Sequence, residues 1–326
     1  MTAGSTPKRY VFLLIPGFSP LGMTCAQEAL SLANRFAPDR QYYDLLLLSE
    51  DGGPVTAWNG LEVNVNTGLI DLHRDDTLIV CAGVDAGAGS TRKILNWLRR
   101  ETRKGMDYGA LSSGSYVLAL AGLLTGRRVA THWEYASAME ENFHDIEVQD
   151  VIYTVDGRVF SCAGGASSMD LMLERIASDY GNKLSSWVGD QMIYPSPRSD
   201  RHAQRGFLAG QMGIRHRNLI LAIDTMRGNI EEPLAPADIA RSSGLSIRQM
   251  ERLFARYMNT SPNKYYMTLR LEKARSLLAQ TELSLTEVSL LCGFKAPSHF
   301  SKTYRKAFGV APSRDTGGSN LLVSRK

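Results

Sequence analysis

Cysteine is scarce: Cys25, Cys81, Cys162 and Cys292 are the only four in 326 residues, and no two have the spacing of metal ligands or of a disulfide framework. Each lies in an apolar or small-residue segment, which predicts reduced, buried thiols in a cytoplasmic protein. A run of about 18 apolar residues is also missing, so no membrane span is expected. The apolar YVFLLIPGF after Lys8 and Arg9 imitates a signal peptide, but Pro16 and Gly17 cut it short and no A-x-A site follows. His144, His202, His216 and His299 fall in no ligand pattern, so neither a metal nor a cofactor is expected.

Net charge is low too, at +4, yet it is unevenly placed. Residues 201–326 hold 20 Lys and Arg against 9 Asp and Glu, while residues 1–200 hold 17 against 24. A basic carboxyl-terminal third suits phosphate binding by counterion release; solvated basic helices are the alternative.

That third carries a repeat. Ser284 to Pro312 reads as two short helices joined at Cys292-Gly293-Phe294, with Gly293 where a tight turn needs positive φ. Past the turn, Phe300, Tyr304 and Phe308 recur every four residues and would face a core. Ser298, His299, Ser301, Lys302, Arg305 and Lys306 point away. The same pattern stands upstream in Leu234 to Pro262. Gly244 lies on Gly293 and Ile239 on Val288; with one extra residue in the later turn, Met250 lies on Phe300, Phe254 on Tyr304, Arg252 on Lys302 and Arg256 on Lys306. One helix, within Asn263 to Gln280, would hold the units apart.

With its CGF turn, the phrase HFSKTYRKAFGVAPS and the helix LRLEKARSLL, Ala235 to Pro312 resembles the DNA-binding domain of AraC/XylS-type transcription regulators. The resemblance implies two recognition helices entering successive major-groove segments about 34 Å apart. In the first helix, Ser246, Arg248, Gln249, Arg252 and Arg256 are the candidate contacts, with Arg248 and Gln249 placed to read guanine and adenine edges. In the second, Ser298 and His299 are the base readers and Lys302, Arg305 and Lys306 the phosphate contacts.

The first two-thirds alternates buried strands with helices. Strands at Tyr10 to Ile15, Tyr43 to Leu48 and Thr77 to Cys81 follow this pattern, with helices at Met23 to Phe36 and Thr91 to Arg103, the latter basic on its outer face. This predicts an α/β doubly wound domain with a parallel sheet. Residues 1–9 read as loose, and Val55 to Val65 as a hairpin around Trp58-Asn59-Gly60. The strand Tyr108 to Leu111 runs into Ser112-Ser113-Gly114-Ser115 and then at once into an apolar helix. That is the geometry of a nucleophile elbow, which lifts one side chain to the carboxyl edge of the sheet. Strands on either side of Asp156-Gly157 and helices at Ser167 to Tyr180 and Ser185 to Tyr194 complete the domain, and Pro195 to Arg201 reads as a proline-broken linker.

IPGFSPLGMTCAQEALSLANRF, GALSSGSYVLALAGLLTGRR and VATHWEYASAM resemble the PfpI-like, class I glutamine-amidotransferase-like domain, of flavodoxin-like fold, that one AraC subfamily carries at its amino terminus. In catalytic relatives the elbow holds a cysteine, with a histidine nearby and a glutamate from the region of Glu28; here Ser112 stands in its place. A serine hydroxyl needs a placed general base. His132 with Glu28 would make a Ser-His-Glu triad, the amidase-like alternative; a non-catalytic pocket is the expectation. Its candidates are Glu28, Trp58, Ser112, Ser113, His132 and Trp133, the tryptophans for cation–π contact with a small nitrogenous metabolite. Set against these readings are an exposed helical glutamate, core-filling tryptophans and a structural histidine.

The expected organisation is a sensing domain over 1–195, a linker over 196–212, a double helix-turn-helix domain over 213–318 and a tail over 319–326. The expected function is a transcription regulator, an activator and homodimer acting with RNA polymerase on duplex DNA.

Overall fold

A computed structural model describes residues 6–194, 196–200, 204, 217–281 and 283–315. Most of the expected linker, the first residues of the expected DNA-binding domain and the 319–326 tail lie outside these. The chain divides into two compact units, residues 1–204 and 205–326.

The first unit is built on a six-stranded sheet. Its strands are β1 (Lys8–Leu14), β2 (Tyr43–Leu48), β5 (Thr77–Cys81), β6 (Asp107–Leu111), β9 (Tyr153–Asp156) and β10 (Val159–Cys162), ordered β2-β1-β5-β6-β10-β9. All neighbours are parallel except β9 against β10. Alternation along β1 builds both cores. Tyr10, Phe12 and Leu14 pack with helices α1 (Pro20–Ala33), α5 (Ser167–Tyr180) and α6 (Asn182–Gln191), whereas Val11, Leu13 and Ile15 pack with α2 (Arg92–Thr102), α3 (Gly114–Leu120) and α4 (Trp133–Asn142). The doubly wound expectation is met. The chain leaves β1 for β2 on one side and returns to β5 on the other, so a topological switch point lies between β1 and β5.

Two short pairs flank the sheet. The hairpin β3 (Val55–Thr56) and β4 (Glu62–Val63) carries Trp58 at its tip, and β7 (Arg128–Ala130) runs parallel to β8 (Glu147–Gln149). Lys8 and Arg9, expected in a loose end, instead open β1, opposite Tyr43 and Asp44. Their charges reach carboxylates: Lys8 pairs with Asp179, and Arg9 Nη2 lies 2.6 Å from Asp76. At the end of α2 and just past it, basic side chains are paired within the unit. Arg99 donates to the Ala121 and Leu120 carbonyls at 2.9 and 3.1 Å, closing the end of α3, and Lys104 and Arg100 pair with the buried Glu101.

The second unit contains α7 (Arg217–Arg227), α8 (Pro236–Ser242), α9 (Ile247–Met258), α10 (Pro262–Gln280), α11 (Leu285–Leu291) and α12 (Pro297–Phe308). Two apolar cores form here. One gathers Leu219, Ile239, Met250, Phe254, Tyr266 and Leu269, the other Leu271, Ala274, Leu277, Val288, Phe300 and Tyr304. The first half of α10 thus belongs to one core and its second half to the other. Among the described residues no helix is long and apolar enough to cross a membrane.

Candidate functional site: a duplicated helical interface and a strand-edge elbow

The two helix pairs α8/α9 and α11/α12 repeat one another bond for bond at their turns. Gly244 and Gly293 both sit at positive φ, +66° and +72°. Leu245 N–H donates to Ala240 O and Phe294 N–H to Ser289 O, each at 2.8 Å, closing equivalent carbonyls at the ends of α8 and α11. Beyond the turns the paired positions are buried alike: Met250 with Phe300 and Phe254 with Tyr304. The repeat inferred from spacing is a repeat in space.

Opposite those buried residues, Arg248, Arg252, Arg256, Ser298, His299, Lys302, Arg305 and Lys306 are all exposed. Charge use differs among the cations of the unit. Arg227, Arg241, Lys273 and Arg275 each reach a carboxylate, while among the described residues no carboxylate pairs with Arg248, Arg252, Lys302, Arg305 or Lys306. Lys264, Arg270, Lys295 and Arg314 likewise pair with no carboxylate among the described residues. Arg256 rests over the Tyr257 ring at 5.3 Å. Unpaired cations along one face of each helix keep their full charge for an anionic partner.

The helices begin differently. Ser246 and Gln249 form a capping box on α9: Gln249 N–H donates to Ser246 Oγ at 3.2 Å and Ser246 N–H to Gln249 Oε1 at 2.8 Å. This departs from the expectation for Gln249. Its amide oxygen holds the helix start, so a bidentate adenine contact would cost the cap. The second helix opens on Pro297 with no side-chain cap, and His299 leans on Phe294 with ring centroids 5.8 Å apart.

In the first unit the elbow forms as its residue pattern implies. Ser112, a non-glycine residue, holds φ +60°, and its N–H donates to Cys162 O at 3.0 Å. Gly164 is pressed against it; a Cβ there would lie 2.6 Å from the Ser112 Cβ, so no larger residue fits. Ser113 is fully buried and its hydroxyl donates to Gly83 O at 2.6 Å, which bolts the elbow to the end of β5. That bond makes Ser113 a structural residue, where a ligand contact was expected. Ala130 N–H donates to Ser161 Oγ at 2.8 Å, fastening β7 and bringing Thr131 Oγ1 to within 3.4 Å of the Ser112 carbonyl.

His132 caps α4, its Nδ1 accepting from Glu134 N–H at 3.4 Å, and its ring lies 5.4 Å from that of Trp133. No hydrogen bond joins Ser112 to His132 among the described residues. Glu28 is exposed on α1. The part of α1 that meets the elbow is Gly22, which faces Gly164, Gly165 and Ser168. Six residues further along, Glu28 sits about 9 Å up the axis and on another face. Trp58, 61% exposed, lies at the same edge, since its N–H donates to Phe18 O and Phe18 bridges Gly83. Trp133 is 38% exposed. Burial pushes the Cys81 and Cys162 thiols up, as it does the half-buried Cys25, so none is poised as a thiolate.

The open cleft at the opposite, amino-terminal edge is lined by Arg9, Asp44, Asp76, Asp107 and Arg175, among others. Its charges are largely spent on one another, with Arg9 on Asp76 and Arg175 on Asp107, each within 2.7 Å.

Gly22, Gly164 and Gln204 were missed in sequence. Glycine pairs are visible there, but which glycine meets which backbone is a property of the folded sheet edge. Gln204 carried no signal at all.

Comparison with known proteins agrees with both halves. Residues 8–178 match the DJ-1/PfpI family and residues 239–316 a helix-turn-helix domain. The HTH-type transcriptional regulator CdhR of Pseudomonas aeruginosa is 41% identical over 93% of this chain and 90% of its own. The regulator GbdR of the same species is 36% identical over 97% and 86%. A crystal structure of an AraC family transcriptional regulator from Pseudomonas putida, 29% identical, covers 57% of this chain and 100% of its own with a TM-score of 0.52. The chain therefore belongs to the AraC-type helix-turn-helix transcriptional regulators that carry an amino-terminal DJ-1/PfpI domain.

Proposed function

We propose that the protein is a DNA-binding transcription regulator whose DJ-1/PfpI unit senses a small nitrogenous metabolite without hydrolysing it. The observation that carries the DNA-binding half is the pair of equivalent helices whose exposed cations have no carboxylate partner. Arg248 reads a base edge, Arg252 and Arg256 hold phosphates, Ser298 and His299 read bases, and Lys302, Arg305 and Lys306 hold phosphates. The regulators CdhR and GbdR support the assignment by name. The protein acts as a dimer at promoter half-site repeats, one half-site for each recognition helix, and activates with RNA polymerase.

The sensing half rests on the carboxyl edge of the sheet beside the switch point, where α/β domains bind ligands. Ser112 supplies a polar contact and Trp58 and Trp133 supply aromatic faces for a cationic nitrogen. A serine without a hydrogen-bonded base is a poor nucleophile, which favours binding over turnover.

Selection of duplexes from a random pool with the full-length protein tests the first half; failure to enrich any sequence over random DNA at physiological salt would sink it. Thermal-shift screening of nitrogenous metabolites tests the second, since a ligand at a hundred times its dissociation constant adds about 2.7 kcal/mol.

A further inference from the structure

The two apolar cores of the second unit share no residue among those described, so the angle between α9 and α12 depends on what joins the cores. The helix α10 connects them, and a polar junction joins them a second time. Arg270, on α10, donates from Nε to Cys292 O and from Nη2 to Gly293 O, both at 2.8 Å, and its guanidinium lies 4.2 Å over the Phe294 ring. These are the orphan carbonyls at the end of α11, where a cation is favoured. On its other side Gly293 meets the segment between α7 and α8: a Cβ at 293 would lie 2.4 Å from Ile230 O and 2.5 Å from Pro233 Cγ.

That segment is itself tied to α10. Tyr266 Oη donates to Asn229 O, and Lys273 Nζ lies 2.9 Å from Glu231 Oε1. Tyr266, Arg270 and Lys273 stand at i, i+4 and i+7, one face of α10. The segment before the first helix-turn-helix and the turn inside the second are thus held against the same face of the connecting helix.

We propose that Arg270, with the 229–233 segment, is a positioning device that sets the separation and angle of the two recognition helices, and so the half-site spacing the protein accepts. It touches no DNA. It acts through the turn of the second unit, and it rests on the DNA-binding reading. Inserting one base pair between half-sites moves one by about 3.4 Å and rotates it by about 35°, a change that a stiff pair of helices cannot follow.

The test uses full-length protein and a duplex recovered by selection with it, plus versions with one base pair inserted and with either half-site scrambled. Wild type should lose about tenfold or more on insertion. Arg270→Met, which keeps the stem and removes the donors, should keep each single half-site affinity within about twofold while the insertion penalty falls to about threefold or less. Glu231→Lys should do the same by repelling Lys273, and Glu231→Lys with Lys273→Glu should restore the penalty. If Arg270→Met lowers the folded fraction, the Glu231 and Lys273 variants decide. An insertion penalty unchanged in the folded variants, or a swap that restores nothing, overturns the proposal. Wild type that binds no selected duplex overturns the DNA-binding reading instead.

Discussion

The Gln204 side-chain amide donates to the Thr131 carbonyl at 2.8 Å and to the Val151 carbonyl at 3.1 Å. Its Oε1 is buried with no partner among the described residues. Thr131 in turn donates to the Ser112 carbonyl, so a residue of the expected linker is bonded to the loop that frames the elbow. Arg198 is anchored as well, donating through Nε and Nη2 to the buried Asp170 at 3.1 and 2.7 Å. Among the described residues of the expected linker, Arg198 and Gln204 are thus bonded to the sensing unit, Gln204 beside the candidate ligand edge.

If that tie carries the ligand signal, Gln204→Ala should leave DNA affinity without ligand within about threefold while abolishing the ligand-dependent change. Reporter transcription with and without the metabolite from the thermal-shift screen measures it. A wild-type response in the variant removes Gln204 from the signal path.

Ser112 pays a conformational cost that glycine would not. Ser112→Gly should raise stability by about 1 kcal/mol by relieving a left-handed residue, yet remove the ligand-induced thermal shift. Denaturant melts with and without ligand separate these effects; a retained shift shows that the hydroxyl makes no ligand contact.

Within α9, Arg248→Ala should cost about 1–3 kcal/mol on the selected duplex and relax preference at one base position. Arg252→Ala should weaken all duplexes alike and reduce the salt slope by about 1. Gln249→Ala, by loss of the cap, should cost about 1 kcal/mol of stability without changing sequence preference. Binding titrations over a salt series check all three; loss of a single base preference in Gln249→Ala would restore it as a base reader.

Glu101 links stability to pH. Burial alone would raise its pKa, but bonds from Lys104, the Leu72 N–H and Arg100 bring it below the ordinary value of 4.5. A depressed carboxylate contributes stability above its unfolded pKa and loses it as pH falls through the folded one. Glu101→Gln should therefore cost about 1.5–3 kcal/mol at pH 7, with the difference shrinking below about pH 4.5. A difference independent of pH would show that the charge contributes nothing.

Much of this was legible in the chain. Residues such as Phe12 and Val11, or Met250 and Phe254, announce strands and helices because burial enforces a period, and Gly244 and Gly293 announce turns because few residues tolerate positive φ. The exposure of Glu28 and the bond from Ser113 to Gly83 were not legible because sequence spacing says nothing of which face a side chain takes or which carbonyl it finds. The cap made by Gln249 was not legible because one amide can serve either a cap or a base.

Composition and periodicity were enough to indicate two units, a parallel sheet with an elbow within Ser112-Ser113-Gly114-Ser115 and a duplicated basic helix pair, since each follows from local propensity and the burial of apolar stripes; the family resemblance singled out Ser112. Folding settled what depends on distant partners: Gly164 against Ser112, Gln204 on Thr131, and Arg270 on the turn at Gly293. A hydrogen bond or a missing Cβ has meaning only once two remote stretches of backbone lie within a few ångströms of each other.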